Sequence, residues 1–262
     1  MAVVICIVAV APLRAEAAHR SEMVSQLLFG ELAEVIEGNP QLPTGSFVKL
    51  RILLDGYEGW CQSAQLALLP DDLRINQNHQ IASAYSNTLF INETPMQVPF
   101  GASIGLFNQQ ANDIAGIQMK YTGHSHDPVN QPFDSSLLKQ IALLFLNTPY
   151  LWGGRSIWGI DCSGFVQQVY RYFNHYLPRD AYQQAELGND IGFLAEAQCG
   201  DLAYFDNAEG KITHVGIMLG PDAIIHASGK VRIDRIDQAG ILNTDTGERT
   251  HQLRIVKRLI KE

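Results

Sequence analysis

Cys162 is the residue of this sequence best suited to act as a nucleophile. It lies in the segment Gly-Ile-Asp-Cys-Ser-Gly-Phe, where the residue pattern predicts the start of a helix. The unpaired N–H groups and the positive dipole end of a helix start favour a thiolate over a thiol. The other cysteines, Cys6, Cys61 and Cys199, stand in apolar or strand-edge settings that are typical of small buried hydrophobic residues. Because the sequence has no Cys-x-x-Cys pair, it does not resemble a disulfide scaffold.

Two histidines are candidates for the base that a cysteine nucleophile needs. His214 and His226 are each polar residues inside a predicted apolar strand. If these strands form a hairpin around the three-residue loop Gly220-Pro221-Asp222, both imidazoles lie on one face as diagonal neighbours, about 7–8 Å apart between α-carbons. A loop with an even number of residues would put them on opposite faces. One imidazole then faces the thiol and the other holds it in the right tautomer, unless each is only a satisfied core histidine.

A zinc site made of Cys162, His214 and His226 is a rival use of the same side chains, since zinc accepts sulfur and nitrogen ligands. Structural zinc normally takes four protein ligands, and no close-spaced ligand pair is present, so no metal is predicted. The remaining histidines are expected in loops or polar contexts, with His124 and His126 in a linker; they are His19, His79, His124, His126, His175 and His251.

The elements that must position these residues are two helices followed by a run of strands. A polar, proline-containing stretch between Gly123 and Pro132 predicts a domain boundary. Asp134 and Ser135 are expected to cap the first helix, and the second begins near Cys162. The predicted strands are Asp201–Phe205, Ile212–Leu219, Ala223–Ala227, Val231–Ile236 and Leu253–Leu259. Helices first and a sheet afterwards predict an α+β domain.

The front half of the chain has short apolar runs separated by turn residues, a pattern typical of small β-barrels. Leu28-Phe29-Gly30 has an echo in Pro99-Phe100-Gly101, which favours two related β modules. The predicted domains are therefore residues 1–70, residues 71–130 and residues 131–262. The apolar opening, which is rich in β-branched residues, predicts a strand, with a signal peptide as the alternative.

Composition excludes several classes of function. Acidic residues outnumber basic ones by 27 to 19, and no basic block is present, so nucleic acid is not an expected partner. No stretch approaches the roughly 18–20 consecutive apolar residues of a membrane-spanning helix. A targeting segment, if one exists, would lie upstream of Met1, so either the cell envelope or the cytoplasm fits as the compartment.

A set of ordered motifs carries a resemblance to a known family. The motifs are Pro149-Tyr150-Leu151-Trp152-Gly153-Gly154, Asp161-Cys162-Ser163-Gly164-Phe165-Val166, Pro178-Arg179-Asp180 with Gln183-Gln184, Gly200-Asp201-Leu202, His214-Val215-Gly216-Ile217 and Ile225-His226-Ala227. Residues 132–262 thereby resemble the NlpC/P60 cysteine peptidases of bacterial cell walls, and the front half resembles bacterial SH3 modules. The combination is similar to γ-D-glutamyl-L-diamino acid endopeptidases.

The resemblance implies a papain-like half-barrel preceded by one or two SH3-like barrels, with no cofactor. In such an enzyme Cys162 attacks, His214 is the general base and His226 orients it. Tyr150 would assist at the oxyanion beside the Cys162 N–H, where preorganised donors meet developing charge. Trp152 would line one wall of the cleft. The alternative for both aromatic residues is ordinary core packing.

The resemblance also implies residues that select substrate. In the endopeptidases that the chain resembles, an SH3-like module closes one end of the cleft, so that only peptides with a free L-alanine amine fit. Asp161 is then a candidate partner for the amine, with Tyr57 and Glu16 completing the clasp. Ser163 and Asp180 complete the expected substrate-binding set. The alternatives are a helix cap for Asp161, barrel core for Tyr57, a solvated loop charge for Glu16 and a loop contact for Asp180.

One departure from the family pattern affects this set. The family often has serine where this chain has Ala181, so one expected substrate hydrogen bond lacks its donor.

The implied reaction is cleavage of the bond between γ-linked D-glutamate and a diamino acid in peptidoglycan stem peptides, which releases L-Ala-D-Glu. Either meso-diaminopimelate or lysine fits as the third residue. One alternative is an inactive protein that binds wall peptides. Another is amidase, transglutaminase or acyltransferase chemistry on the same half-barrel, since a fold does not determine a reaction.

Overall fold

A computed structural model describes residues 2–40, 45–69, 79–107, 112–114 and 116–260. The chain forms two compact units. The first contains Met1–Gln131 together with Trp152–Trp158, and the second contains Pro132–Leu151 and Gly159–Glu262. The boundary predicted near residue 70 lies outside the described residues. No helix in the described ranges has the length and apolar character needed to cross a bilayer.

A small barrel of seven antiparallel strands opens the first unit. The strands run in the spatial order β3-β2-β6-β5-β4-β1-β7. They are β1 (Val3–Cys6), β2 (Val10–Arg14), β3 (Met23–Leu28), β4 (Leu32–Glu37), β5 (Phe47–Ile52), β6 (Glu58–Gln62) and β7 (Leu66–Leu68), with a 3₁₀ turn at Ser63–Gln65. The strand predicted at the apolar opening is confirmed as β1, in which Val4, Ile5 and Cys6 are buried.

The second β module packs into the same unit. Its strands are β8 (Ile81–Ala82), β9 (Asn87–Ile91), β10 (Thr94–Val98), β11 (Asn112–Ile114), β12 (Ile117–Tyr121) and β13 (Ser125–His126). They form a four-stranded sheet in the order β10-β9-β12-β11 and a separate β13-β8 pair. One hydrophobic core joins Ile5 and Phe29 of the barrel to Leu89 and Met119 of this module. His126, expected in a linker, instead lies in β13.

The two echoed glycine turns of the first unit meet directly. Gly30 and Gly101 both have positive φ, at 75° and 81°. The Ser103 N–H donates to the Phe29 carbonyl at 2.8 Å, and a Cβ at Gly30 would lie 1.8 Å from the Ser103 carbonyl oxygen. Glycine is therefore required at residue 30, because the conformation and the close approach both exclude a side chain.

The second unit places helices before a sheet, as predicted, although strand outweighs helix in its described residues. Its helices are α1 (Ser135–Leu144), α2 (Cys162–Arg171) and α3 (Ala181–Gln184), with 3₁₀ turns at Pro128–Asn130, in the first unit, and Leu194–Glu196. Asp134 caps α1, because its Oδ1 accepts the Leu137 N–H at 2.7 Å. The short strands β14 (Arg155–Ser156), which belongs to the first unit, and β15 (Gly159–Ile160) precede α2.

The main sheet of the second unit closes on itself. Its strands are β16 (Asn189–Ile191), β17 (Leu202–Asp206), β18 (Ile212–Gly220), β19 (Ala223–Ser228), β20 (Lys230–Asp237), β21 (Gly240–Leu242) and β22 (Arg249–Arg258). Their order is β16-β22-β17-β18-β19-β20-β21, and β22 also pairs with β21. Each of the five predicted strands is present, with bounds that differ by a few residues. Because β22 pairs with both β17 and β21, residues near the end of the chain reach the face that carries the two histidines.

Candidate active site

The strand register brings His214 and His226 to the same face of the sheet, as the sequence predicts. His226 of β19 pairs with Gly216 of β18, so His214 is its diagonal neighbour. The hairpin that brings them there differs from the expected one with a three-residue loop. Only Pro221 and Asp222 separate the two strands, an even loop, and a bulge between Met218 and Gly220 shifts the register by one residue. The bulge restores the shared face that the two-residue loop alone would have abolished.

Asp234 continues this diagonal onto the next strand. In β20 it pairs with Ile224, two residues from His226. The same alternation that places one histidine beside the other therefore places the carboxylate beside the second histidine. Sequence reasoning missed Asp234, although extending the hairpin argument by one strand would have found it.

A chain of hydrogen bonds joins these three residues. His214 Nε2 lies 2.8 Å from His226 Nδ1, and His226 Nε2 lies 3.0 Å from Asp234 Oδ2. Arg232 donates to both carboxylate oxygens of Asp234 at 2.7 and 2.8 Å, and the Thr244 amide and hydroxyl each donate to Oδ1 at 2.9 Å. These hydrogen bonds, from His226, Arg232 and Thr244, outweigh the burial that acts in the opposite direction and hold the pKa of the Asp234 carboxyl well below its usual range.

The ionised carboxylate fixes the direction of every hydrogen bond in this chain. Asp234 can only accept, so His226 Nε2 carries a proton, and in the neutral imidazole its Nδ1 is then an acceptor. His214 must then donate through Nε2, which leaves its Nδ1 unprotonated. The relay therefore presents the lone pair of His214 Nδ1 as the available proton acceptor.

Cys162 is the first residue of α2, as the sequence predicts, and α2 packs on β18, the strand of His214. Cys162 is only 7% exposed, and its thiol forms a hydrogen bond with the backbone of Val215. Burial, reinforced by the negative charge of Asp161, raises the pKa of the Cys162 thiol to about 12. This direction opposes the expectation that the helix start favours a resting thiolate, because burial disfavours the charged form.

The base is neutral for a related reason. Burial, together with the neighbouring imidazoles of His226 and His251, lowers the pKa of His214 well below its usual range. A neutral thiol and a neutral imidazole on adjacent elements form a pair that can exchange one proton. Neither group has to exchange a proton with bulk water for that transfer.

Asp161 lies where the sequence predicts, but its carboxylate already has partners. Its Oδ1 caps α2 by accepting the Gly164 N–H at 2.7 Å, and the Arg179 guanidinium donates to both carboxylate oxygens. Ser163 Oγ accepts from Arg179 at 2.8 Å and lies 3.3 Å from Asp161 Oδ1. The helix cap that the sequence offered as the alternative is thus present, and the substrate roles of Asp161 and Ser163 stay predictions.

The two aromatic residues of the predicted cleft have different environments. Tyr150 is half-buried, and burial, followed by the neighbouring Cys162, raises the pKa of its hydroxyl well above the usual range. Trp152 is 61% exposed and belongs to the first unit. Its indole N–H donates to Glu22 Oε1 at 2.6 Å, a partner that sequence reasoning missed. Core packing is therefore excluded for Trp152.

The remaining predicted substrate residues show the structural roles named as alternatives. Asp180 is the N-cap of α3 and forms a capping box with Gln183. Tyr57 packs against the barrel core, and its N–H donates to Asp55 Oδ1 at 3.0 Å. Glu16 is exposed, and its N–H donates to Ser21 Oγ. Direct substrate contacts by Asp180, Tyr57 and Glu16 stay predictions.

His251 was expected in a loop or polar context, and this expectation is wrong. It lies in β22 and its ring stacks on His214, with centroids 4.1 Å apart and planes 26° apart. Burial lowers the pKa of His251 to about 4. Among the described residues, His214, His226 and His251 form the one group of three or more possible metal ligands, with one nitrogen from each within 4.8 Å of the others. Cys162, a member of the rival zinc set, is not part of this group.

Comparisons with known proteins match the two families that the sequence motifs resemble. Residues 147–250 match the NlpC/P60 family, and residues 13–66 match the bacterial dipeptidyl-peptidase Sh3 domain. A probable endopeptidase of Haemophilus influenzae is 35% identical over 129 residues, which are 48% of this chain and 78% of the relative. A solved NlpC/P60 family protein from Bacillus cereus superposes with a TM-score of 0.81 at 20% identity, covering 99% of this chain and 100% of that one.

Two further relatives are named gamma-D-glutamyl-L-lysine dipeptidyl-peptidases. The one from Bacillus cereus is 25% identical over an alignment of 261 positions, which covers 89% of this chain and 76% of the relative. The one from Bacillus subtilis is 41% identical over 90 residues, which are 34% of this chain and 30% of the relative. The matched segment thus spans about a third of the Bacillus subtilis protein.

Proposed function

The chain belongs to the NlpC/P60 family of cysteine peptidases, and we propose that it hydrolyses the γ-D-glutamyl bond of peptidoglycan stem peptides on a papain-like half-barrel. The observation that carries this proposal is the relay Asp234–His226–His214. It leaves His214 Nδ1 unprotonated on β18, the strand that packs against the helix beginning at Cys162. A relay of this kind serves a nucleophile, because it holds the base in one tautomer and stabilises the cation that the base becomes.

The acylation step uses these groups in order. The Cys162 thiol transfers its proton to His214 Nδ1 as the sulfur attacks the carbonyl carbon of the γ-glutamyl amide. The carbonyl oxygen becomes an oxyanion, which the Cys162 N–H and the Tyr150 hydroxyl stabilise. The C–N bond then breaks, and His214 returns the proton to the departing amine of the diamino acid. The γ-carboxyl of glutamate remains as a thioester on Cys162.

Deacylation repeats the sequence with water in place of the thiol. His214 takes a proton from water as the oxygen attacks the thioester carbon. Breakdown of the second tetrahedral intermediate releases the acid, and the sulfur leaving group recovers the proton from His214. His226 and Asp234 keep the imidazolium in place through both steps, so no proton has to reach Asp234.

The raised pKa of Cys162 and the lowered pKa of His214 belong to this mechanism. Both shifts arise mainly from burial, which disfavours isolated charges. Charge therefore develops as a thiolate and imidazolium together, at the moment when the carbonyl can consume the nucleophile. The buried carboxylate of Asp234 compensates the imidazolium charge.

The proposed substrate class is supported by the relatives named gamma-D-glutamyl-L-lysine dipeptidyl-peptidases, one of which aligns with most of this chain. We propose L-Ala-γ-D-Glu-diamino acid peptides with a free amino terminus, with Asp161 as the residue facing the amine. L-Ala-D-Glu is then the released dipeptide. Both meso-diaminopimelate and lysine are candidates for the third residue.

Mass spectrometry of defined tripeptides tests the bond and the nucleophile together. L-Ala-γ-D-Glu-meso-diaminopimelate, its lysine counterpart and the N-acetylated form of each are incubated with the wild type and with Cys162→Ala. We expect L-Ala-D-Glu from at least one free tripeptide with the wild type alone. Equal cleavage of acetylated and free peptides would contradict selection of the amine. Absence of cleavage by folded, reduced wild type would contradict the proposed reaction.

A further inference from the structure

Three imidazoles lie together at the relay, because His226 contacts the Nε2 edge of His214 and His251 stacks on the face of its ring. His214 and His226 are buried and His251 is half-buried, and one nitrogen of each lies within 4.8 Å of the other two. The pair His214 Nε2 and His226 Nδ1 is already 2.8 Å apart. The peptidase reaction uses His214 and His226 but assigns nothing to His251.

We propose that His214, His226 and His251 form a binding site for one divalent transition-metal ion of the Zn²⁺ type, and that the bound ion blocks the peptidase. The binding site stands on the side-chain geometry alone, whereas the inhibition rests on the proposed function. Imidazole nitrogen is a donor that Zn²⁺, Ni²⁺ and Cu²⁺ prefer, and Mg²⁺ and Ca²⁺ do not. Three histidine nitrogens with a fourth position open to water are a common zinc arrangement.

Two of the three histidines have their other nitrogen held by a partner outside the cluster, while the cluster nitrogens of His214 and His226 contact each other. His226 Nε2 donates to Asp234, which orients Nδ1 toward the cluster. A carboxylate behind a ligating histidine is the usual outer shell of a metal site. His251 Nδ1 lies 2.8 Å from Thr250 Oγ1, which leaves its Nε2 as the ligand.

Binding requires a small rearrangement. Two nitrogens on a tetrahedral zinc at about 2.0–2.1 Å lie roughly 3.3 Å apart. The contact of 2.8 Å between His214 and His226 must therefore open by about half an ångström, with the metal replacing the shared proton. The His251 ring must tilt out of its stack with His214 to turn its lone pair toward the ion.

The predicted consequence is a change of tautomer at the base. When the metal occupies His214 Nε2, the proton that Nε2 carried moves to Nδ1, so the imidazole stays neutral. Nδ1 is then an N–H donor and cannot accept the proton of Cys162. The thiol stays protonated and the peptidase stops, although the metal does not need to touch sulfur.

The test separates this site from one built on the thiol. Cys162→Ala removes the sulfur ligand, and binding of Co²⁺ and Zn²⁺ is followed by visible absorption and by calorimetry. We expect Cys162→Ala to bind one ion, with the absorption of a four-coordinate Co²⁺. Adding His251→Phe should weaken binding at least about 100-fold, since a direct ligand is lost. His124→Phe in the same background removes an exposed imidazole outside the cluster and should leave binding unchanged.

Several outcomes overturn the proposal. They are no binding to the wild type, binding to the wild type that Cys162→Ala abolishes, and equal binding with and without His251. His251→Gln serves as a second variant, with thermal unfolding of every protein measured so that misfolding is recognised. Inhibition is measured separately, as Zn²⁺ sensitivity of tripeptide cleavage by the wild type that EDTA reverses. Failure of the proposed peptidase reaction leaves the Co²⁺ result with Cys162→Ala interpretable, so the two failures are distinguishable.

Discussion

At the scale of single residues, one buried carboxylate determines the protonation pattern of the site. Asp234 is anchored by Arg232 and Thr244 and can only accept hydrogen bonds. The hydrogen bonds through His226 and His214 extend that constraint to His214 Nδ1. The chemistry proposed for Cys162 therefore depends on a residue two side chains away, and this dependence can be tested.

Asp234→Asn should impair catalysis without removing any group that touches substrate. The new amide can present an N–H to His226 Nε2, which reverses the hydrogen-bond direction along the relay and leaves His214 in the wrong tautomer. We expect kcat for tripeptide cleavage to fall by about 10²–10⁴-fold with little change in KM. Asp237→Asn is the matched control, because Asp237 ends the same strand and pairs with Arg249 at the surface. Similar losses in both variants would contradict the relay.

The pH dependence of activity follows from the direction of two pKa shifts. His214 must be unprotonated to act as a base, and its pKa is lowered well below the usual value. Because a lowered pKa keeps the imidazole neutral further into acid, the acid limb of kcat/KM should lie below pH 6.5. The raised pKa of Cys162 should remove any inflection near pH 8–9 in its alkylation by iodoacetamide.

Both profiles are measured on Cys199→Ser, which removes the half-buried thiol of Cys199 from the alkylation signal. An acid limb at or above pH 6.5 would show that His214 is not desolvated in solution. A rise in alkylation rate through the ordinary thiol range would show the same for Cys162. Either outcome would replace the coupled proton transfer with a resting thiolate.

At the scale of elements, strand β18 must bring its backbone close to His226. Gly216 pairs with His226 across the β18–β19 ladder, and a Cβ on Gly216 would lie 2.8 Å from the His226 Cβ and 2.7 Å from Ile224 Cδ1. Real Cβ atoms do not approach other carbons so closely. The side chain of His226 therefore occupies space that only glycine leaves open.

Gly216→Ala should displace His226 and stretch the relay. We expect kcat to fall about 10–100-fold, since small displacements of a positioned group have effects of this size. Gly192→Ala, at an exposed position in the same unit with no atom near the added methyl group, should retain activity. The measurement is tripeptide cleavage by both variants, with thermal unfolding as the check on folding. Full activity of Gly216→Ala would contradict the close contact.

Local sequence patterns predicted the elements that short-range rules govern. The capped helix starts at Asp134 and Asp161 and the shared face of His214 and His226 are such cases. The bulge in the hairpin could not be predicted, because it compensates a loop whose length depends on tertiary pairing. His251 could not be predicted either, since it reaches His214 only through closure of the sheet by β22.

At the scale of the whole molecule, the sequence order and the compact units do not coincide. Residues 152–158 belong to the first unit, although the chain before and after them belongs to the second. Within the first unit, Arg155 is fully buried and donates to Glu31 at 2.9 and 3.2 Å. A contact across 124 residues carries no local signal, so sequence reasoning missed it. The first unit is thus complete only after α1, a helix of the second unit, has been made.

Arg155→Met should destabilise the first unit strongly, because it leaves the Glu31 carboxylate buried without its cation. We expect a loss of about 3–5 kcal/mol in the free energy of unfolding, measured by urea denaturation followed through tryptophan fluorescence. Glu31→Gln combined with Arg155→Met should recover part of this loss, since the unpaired charge is gone. Arg51→Met breaks the exposed pair with Glu58 and should change little. Equal effects of the buried and exposed substitutions would show that Arg155 contributes no more to folding than a surface cation.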